Sequence, residues 1–393
     1  MLTLPEYPWE SLAPYRRTAQ AHPGGICDLS IGTPVDDTPE LIQRALADAA
    51  NAHGYPTTHG TPALREAIAG WFGRRRGVPG LDPQAVIPTV GSKEFIAWLP
   101  LLLGIGPGDV VVRPTVAYPT YDIGALLVGA EAVAADSLDE LDAATRARVR
   151  LVWTNSPGNP TGRVAPAAEL RAVVDQARAL GAVVAGDECY AELGWEQWDH
   201  PGSGTPCILA PEVSGGDHTG LLSVYSLSKQ SNLAGYRAAF AAGDPAIVAN
   251  LVNSRKHAGM IVPAPVQAAM TVALQDDAHV AAQKDRYRAR RALLKDALAA
   301  AGLVVDHSEA GLYLWTRDGD RDGARDGSPA GPGTPPAPTP EDSWALVGRL
   351  AEQGILAGPG TFYGAAGNGY ARVAITATDE AVARAAERLH ALR

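Results

Sequence analysis

Four short segments of this 393-residue chain carry side chains able to do chemistry: GSKE from Gly91, NSPGNPTG from Asn155, GDECY from Gly186 and SLSKQSNLAGYR from Ser226. Lys229 follows the apolar run LLSVYS directly, which sets a nucleophilic amine at the end of a buried element. Asp187 closes the apolar run 182–186, where an ionised carboxylate is costly unless a cation faces it. Gly91, Ser92 and Lys93 open the helical stretch SKEFIAWL, whose first turn offers unpaired N–H groups and partial positive charge to an anion such as phosphate. Each feature alone has an ordinary explanation: a surface lysine, a turn-forming Asp, a capping box, and an Asn-Pro turn at Asn159. What makes them informative together is that all four fall at strand ends or helix starts, where the loops of an open α/β sheet converge on one crevice.

The elements that must position them read as a wound α/β pattern over about 41–180. Apolar, β-rich runs at 109–112, 151–153, 183–185 and 221–224 suit strands buried on both faces. A helical stripe of Leu170, Val173, Val174, Ala177 and Leu180 joins the second run to the third, so those two strands should be parallel. Thr38-Pro39-Glu40 and Thr61-Pro62 read as helix starts, each with a capping threonine and a first-turn proline. After about 276 come a long charged helix, the strand-like LVVDHS and LYLW, and amphipathic helices from about Asp342 and Asp379, the pattern of a smaller α+β domain. The domain reading is a segment 1–35 packing with the small domain, a large domain 36–275 and a small domain 276–393. Within the last, 318–341 holds five glycines, six prolines and no large apolar side chain, and reads as a disordered surface insertion.

Composition removes several classes. Lys plus Arg number 33 against 43 Asp plus Glu, a formal charge of −10, so bulk charge draws the chain to neither nucleic acid nor anionic lipid. Cys27, Cys189 and Cys207 are far apart and odd in number, which proposes no disulfide framework and no metal site and fits a reducing cytoplasm. The start, MLTLPEYPWESLAPYRR, lacks the basic-then-apolar form of a secretion signal. The most apolar stretch, 95–105, is broken by Pro100 and Gly104 and is too short to span a bilayer, so no membrane association is expected.

Taken together, the four segments resemble the active-site signature of class I/II aminotransferases, the fold-type-I pyridoxal-phosphate enzymes, with the motifs in family order. The resemblance implies an α/β fold with a mainly parallel, seven-stranded-type sheet in the large domain, pyridoxal 5'-phosphate as cofactor, and a homodimer with shared active sites. Lys229 would be the Schiff-base lysine and proton-transfer base. Asp187 would face the pyridine nitrogen, and Tyr190 and Asn159 would donate to the ring oxygen. Ser226 and Arg237, with the backbone at Gly91, Ser92 and Lys93, would hold the phosphate. Tyr118 would stack on the ring, and Tyr55 would reach across the dimer to the neighbouring phosphate. Arg372, with Gly32 near it and Asn159 beside it, would bind the substrate carboxylate.

Within that family, strings such as LSIGTPVD, GSKEFIAWLP, AYPTYDIGA and AGLYLW look closest to actinobacterial N-succinyldiaminopimelate aminotransferases. The implied reaction moves an amino group between glutamate and N-succinyl-2-amino-6-oxopimelate, on the route to lysine. Arg255, Lys256 and His257 are candidates, by composition only, for the distal carboxylates of that substrate. The alternative is an aminotransferase of another amino acid, of aspartate, aromatic or alanine type, or a β-lyase on the same fold. A fused DNA-binding regulator is disfavoured by the short leading segment and acidic charge, and a nicotinamide dehydrogenase by the lack of a G-x-G-x-x-G fingerprint.

Overall fold

The computed structural model describes residues 4–200, 204–319 and 337–392. The chain enters past a two-residue strand, β1 (Cys27–Asp28), and then builds the large sheet from β2 (Val86–Val90), β3 (Val110–Arg113), β4 (Glu131–Ala134), β5 (Val149–Asn155), β6 (Val183–Asp187), β7 (Leu221–Ser226) and β8 (Ala238–Gly243). Their order across the sheet is β2-β8-β7-β6-β5-β3-β4. Strands β3 to β7 run parallel, and β8 is antiparallel to both its neighbours.

Alternation along each central strand feeds two apolar layers. On β5, Val152 packs with Leu138, Leu170 and Val174, while Leu151 and Trp153 face Phe95, Leu99 and Tyr121; on β6, Val184 and Ala185 divide in the same way. Burial on both faces is why these runs are almost uninterruptedly apolar. It also leaves polar groups only at the strand ends. Pairing sets Asn155 beside Asp187, and Asp187 beside Val224 two residues before Ser226, so the three parallel strands present their last residues as one row.

The smaller unit is an antiparallel sheet, in order β12-β13-β10-β9, of β9 (Leu303–Asp306), β10 (Tyr313–Asp318), β12 (Gly358–Pro359) and β13 (Tyr370–Ala374), packed by helices Ala278–Ala300, Pro340–Glu352 and Asp379–Leu389. Strand β1 pairs in parallel with β11 (Ile355–Leu356), and Leu12, Ala19, Cys27 and Leu29 share a core with Leu294, Leu346, Leu350 and Val373. The architecture is thus α/β with a mainly parallel seven-stranded sheet and a smaller α+β unit.

Several local expectations change. Thr61 caps its helix, Pro62–Arg75, by accepting from the Leu64 N–H at 3.2 Å, but Thr38 caps nothing: the helix Glu40–Asp48 starts without a side-chain cap, and the Thr38 hydroxyl donates to the Asn232 carbonyl at 3.0 Å. The edges of 318–341 are regular structure, since Asp318 ends β10 and Pro340–Glu352 is a helix with a capping box between Thr339 and Asp342; the rest of the expected insertion, 320–336, lies outside the described residues. Among the described residues no helix is long and apolar enough to cross a membrane, no group of His, Cys, Asp and Glu could hold a metal ion, and all three cysteines are free and buried.

Candidate active site

A cavity of about 300 Å³ opens at the row of strand ends, and its lining includes Gly32, Ser92, Lys93, Tyr118, Asn159, Asp187, Tyr190, Ser226, Lys229, Arg237 and Arg372. Asp187 is held by its own strand end. Its carboxylate accepts from the Tyr121 hydroxyl at 2.8 Å and the Cys189 N–H at 3.2 Å, and Asn155 donates to its carbonyl at 3.1 Å. Burial raises its pKa above the ordinary carboxylate value, and those hydrogen bonds only partly offset it. No cation pairs with it among the described residues, so the carboxylate is desolvated and aimed into the cavity without a countercharge.

Lys229 sits in the single-turn helix Leu227–Gln230 that follows β7. Its ammonium donates to the Gly32 carbonyl, and burial holds its pKa below the ordinary lysine value. Ser226 accepts from the Ser228 N–H at 3.2 Å, with the two hydroxyls 2.9 Å apart. Across from them Gly91, at φ +80°, precedes the helix Ser92–Leu102, and a Cβ on Gly91 would lie 2.1 Å from the Arg237 guanidinium. That glycine is needed both for its backbone and for the close passage of Arg237. A helix start, two hydroxyls and a guanidinium therefore face one side of the cavity, a donor set suited to phosphate.

Arg372 comes from β13 and is buried. One of its nitrogens donates to the Asn159 side-chain oxygen at 3.0 Å and another to the Ser30 carbonyl at 2.8 Å, while its plane lies over the Tyr313 ring at 4.0 Å. Its Nε has no hydrogen-bond partner among the described residues. Tyr190 lies with its hydroxyl 3.0 Å from that of Tyr313. Tyr118 and Trp9 stand 6.4 Å apart on the wall. The Lys93 ammonium lies over the rings of Tyr7 and Tyr118, at 5.0 and 5.8 Å, and among the described residues it has no carboxylate partner.

The remaining candidates lie away from this cluster. Tyr55 lines no part of the cavity and stands fully exposed, its side chain free to meet another molecule. Arg255 is fully buried in a bidentate pair with Glu94, 2.9 Å at each contact, and does not line the cavity, so its assignment to a distal carboxylate is corrected; its exposed neighbours Lys256 and His257 do not line this chain's cavity either. Sequence reasoning missed Tyr121, Asn155, Ser228 and Tyr313, each within a string already in view: the first three share segments with chosen residues, and Tyr313 lies in AGLYLW, from which none was chosen. A second cavity of about 560 Å³ shares Asn155, but its charged groups are already engaged: Arg163 pairs with Glu169 at 2.8 Å, Asp136 accepts from Thr115 and Glu140 from the Ser137 N–H.

The pattern that defines the aminotransferase class I and II family matches residues 25–389. The chain belongs to that family. The aminotransferase is 52% identical over 389 residues to the 4-dedimethylamino-4-oxo-anhydrotetracycline transaminase of Streptomyces rimosus, covering 99% of this chain and 100% of the relative. A probable aminotransferase of Mycobacterium tuberculosis is also 52% identical, over 387 residues, with 98% of this chain and 85% of that one covered. Among solved structures, the N-succinyldiaminopimelate aminotransferase of Mycobacterium tuberculosis superposes with a TM-score of 0.80 at 27% identity, covering 98% and 97% of the two chains. Membership makes this a fold-type-I, pyridoxal-phosphate-dependent aminotransferase acting on amino and keto acids. The cavity fits that cofactor: it supplies an uncompensated buried carboxylate, a phosphate-type donor set and a buried amine.

Proposed function

We propose that the enzyme transfers the amino group of a dicarboxylic amino acid such as glutamate to a keto compound, with 36–275 as the cofactor domain and 1–35 plus 276–393 as the unit that closes over the substrate. The observation that carries this reading is the meeting of Lys229, Asp187 and Arg372 in one cavity with Lys93, an ammonium that has no ion-pair partner among the described residues. When bound, pyridoxal phosphate supplies an aldehyde carbon and an electron-withdrawing ring. Lys229 would hold the cofactor through its amine and would carry the substrate's α-proton. Asp187 would keep the ring nitrogen protonated. Tyr190 and Asn159 would donate to the ring oxygen, Tyr118 would stack on the ring, and Ser226, Arg237 and the amides at Ser92 and Lys93 would hold the phosphate. Tyr55 would reach the phosphate in a second copy of the chain. Arg372 grips the α-carboxylate in two-pronged fashion, with the backbone of Gly32 alongside, and the Lys93 side chain attracts the distal carboxylate.

For the acceptor, relatives at 52% identity and structures at 27–28% bear different names. The N-succinyl-2-amino-6-oxopimelate expected from local strings of the sequence is named for solved structures at 27–28% identity and not for these relatives at 52%, and Arg255, expected among the cations at its far end, is paired with Glu94. The alternative, an aminotransferase of another amino acid, is the reading proposed. To test it, the cofactor-loaded enzyme is mixed separately with glutamate, aspartate, phenylalanine, alanine and N-succinyl-diaminopimelate, and loss of the visible cofactor band is followed. Rapid bleaching by a dicarboxylic amino acid but not by the succinylated compound is expected. Bleaching by the succinylated compound at the glutamate rate would restore the diaminopimelate reading, and no visible band at all would end both.

A further inference from the structure

We propose that Tyr313 is a positioning residue that polarises Tyr190 and reports to it whether Arg372 has taken a substrate carboxylate. Three contacts carry this. The Tyr313 and Tyr190 hydroxyls are 3.0 Å apart, the Arg372 guanidinium lies 4.0 Å from the centre of the Tyr313 ring, and a Cβ on Gly32 would stand 2.1 Å from the Tyr313 oxygen. The last contact shows a hydroxyl seated where only glycine leaves room, with its ring fixed on the guanidinium from the other side.

The direction of the bond follows from the reading above, on which this inference rests. If the Tyr190 hydrogen points to the ring oxygen of the cofactor, the Tyr190 oxygen must accept, and Tyr313 is the donor. A chain of hydroxyls aligned in this way strengthens each bond in it. Charged and titratable groups around Tyr313 favour a strong donor: burial opposes ionisation of the phenol, while Arg372, Lys229 and the hydrogen bond shared with Tyr190 together hold its pKa below the ordinary tyrosine value, with Tyr363 and Tyr287 as further neighbouring phenols. A carboxylate arriving at Arg372 partly cancels that cation. The Tyr313 proton is then held more tightly, and its bond to Tyr190 weakens.

The test is the pH midpoint of the visible band of the loaded enzyme, read for wild type, Tyr190→Phe, Tyr313→Phe and the double variant, with and without succinate, a dicarboxylate that has no amino group. Phenylalanine keeps the ring over Arg372 and removes only the hydroxyl. Loss of one hydrogen bond to an ionised system should raise the midpoint by about half a unit to one unit in Tyr313→Phe. The double variant should match Tyr190→Phe, and succinate should raise the wild-type midpoint more than that of Tyr313→Phe. A midpoint that moves in Tyr190→Phe but not in Tyr313→Phe would overturn the role of Tyr313 alone. A midpoint unmoved in both would remove the assignment of Tyr190 to the ring oxygen, and this inference with it.

Discussion

The residue facing the Asp187 carboxylate is Tyr121, whose buried hydroxyl donates to it at 2.8 Å. A neutral donor satisfies one lone pair but leaves the charge uncompensated, and burial raises the Asp187 pKa accordingly. Because the folded value lies above the unfolded one, protonated Asp187 stabilises the cofactor-free fold at low pH, and that contribution is lost as pH rises through the raised value. Asp187→Asn should therefore make the cofactor-free protein less sensitive to pH above the free carboxylate's range. Melting temperatures of the cofactor-free forms measure this; a wild type whose melting temperature changes with pH no more than the variant's would refute it. In the loaded enzyme the same substitution should lower turnover by more than about a hundredfold, as expected when a charge that stabilises the reaction is removed.

Lys229→Ala should abolish the visible band and reduce transamination by at least about a thousandfold. In wild type, the lowered lysine pKa should let the added cofactor be captured below the ordinary lysine range, with the rate falling as the amine protonates. Stopped-flow absorbance across pH checks both statements, and turnover retained in the variant would displace Lys229 from its role.

At Gly91 the effect should fall on the cofactor. Gly91→Ala forces a side chain onto a backbone at φ +80° and to within 2.1 Å of Arg237, so the dissociation constant for pyridoxal phosphate should rise by about tenfold or more, in line with a strain of one to two kcal/mol. Equilibrium dialysis of the cofactor measures it.

Glu188 follows Asp187 and is buried against Arg76, at 3.1 Å, while also accepting from the Ile208 N–H at 2.6 Å and the Ser223 hydroxyl at 3.1 Å. Glu188→Gln leaves the Arg76 cation buried without its counterion, a loss of about 3–5 kcal/mol in such pairs. Denaturant unfolding should show it as a lower midpoint at unchanged slope. A midpoint equal to wild type would mean that the Arg76 bonds to the Thr205 and Pro206 carbonyls suffice.

The strands that end the site were legible because burial on both faces forces runs such as LLSVYS and VVAGD to be apolar up to the residue where polarity returns. Strand β8 was not, for its sequence AAFAAG has little intrinsic β preference and is made a strand by pairing with β7 and β2. Edge strand β4, with exposed ends and half-buried middle, carries too weak a pattern to separate it from a loop. The site shows the same division. Lys229 and Asp187 end buried runs and announce themselves, whereas the pairing of Tyr190 with Tyr313, 123 residues later, exists only once the small unit folds onto the large one. Arg255 looked available because nothing local marks Glu94, 161 residues earlier, as its partner.

Strand β1 is a pair of residues, Cys27 and Asp28, yet its partners Ile355 and Leu356 lie near the other end of the chain. During synthesis residues 27–28 must therefore wait until residues 355–356 have left the ribosome before they find their place. The Gly32 carbonyl that receives Lys229, and the Ser30 carbonyl that receives Arg372, follow directly after that strand. Assembly of the catalytic cleft is thus deferred to the last stage of biogenesis, and a nascent chain halted before residue 355 could build the large sheet but not the finished pocket.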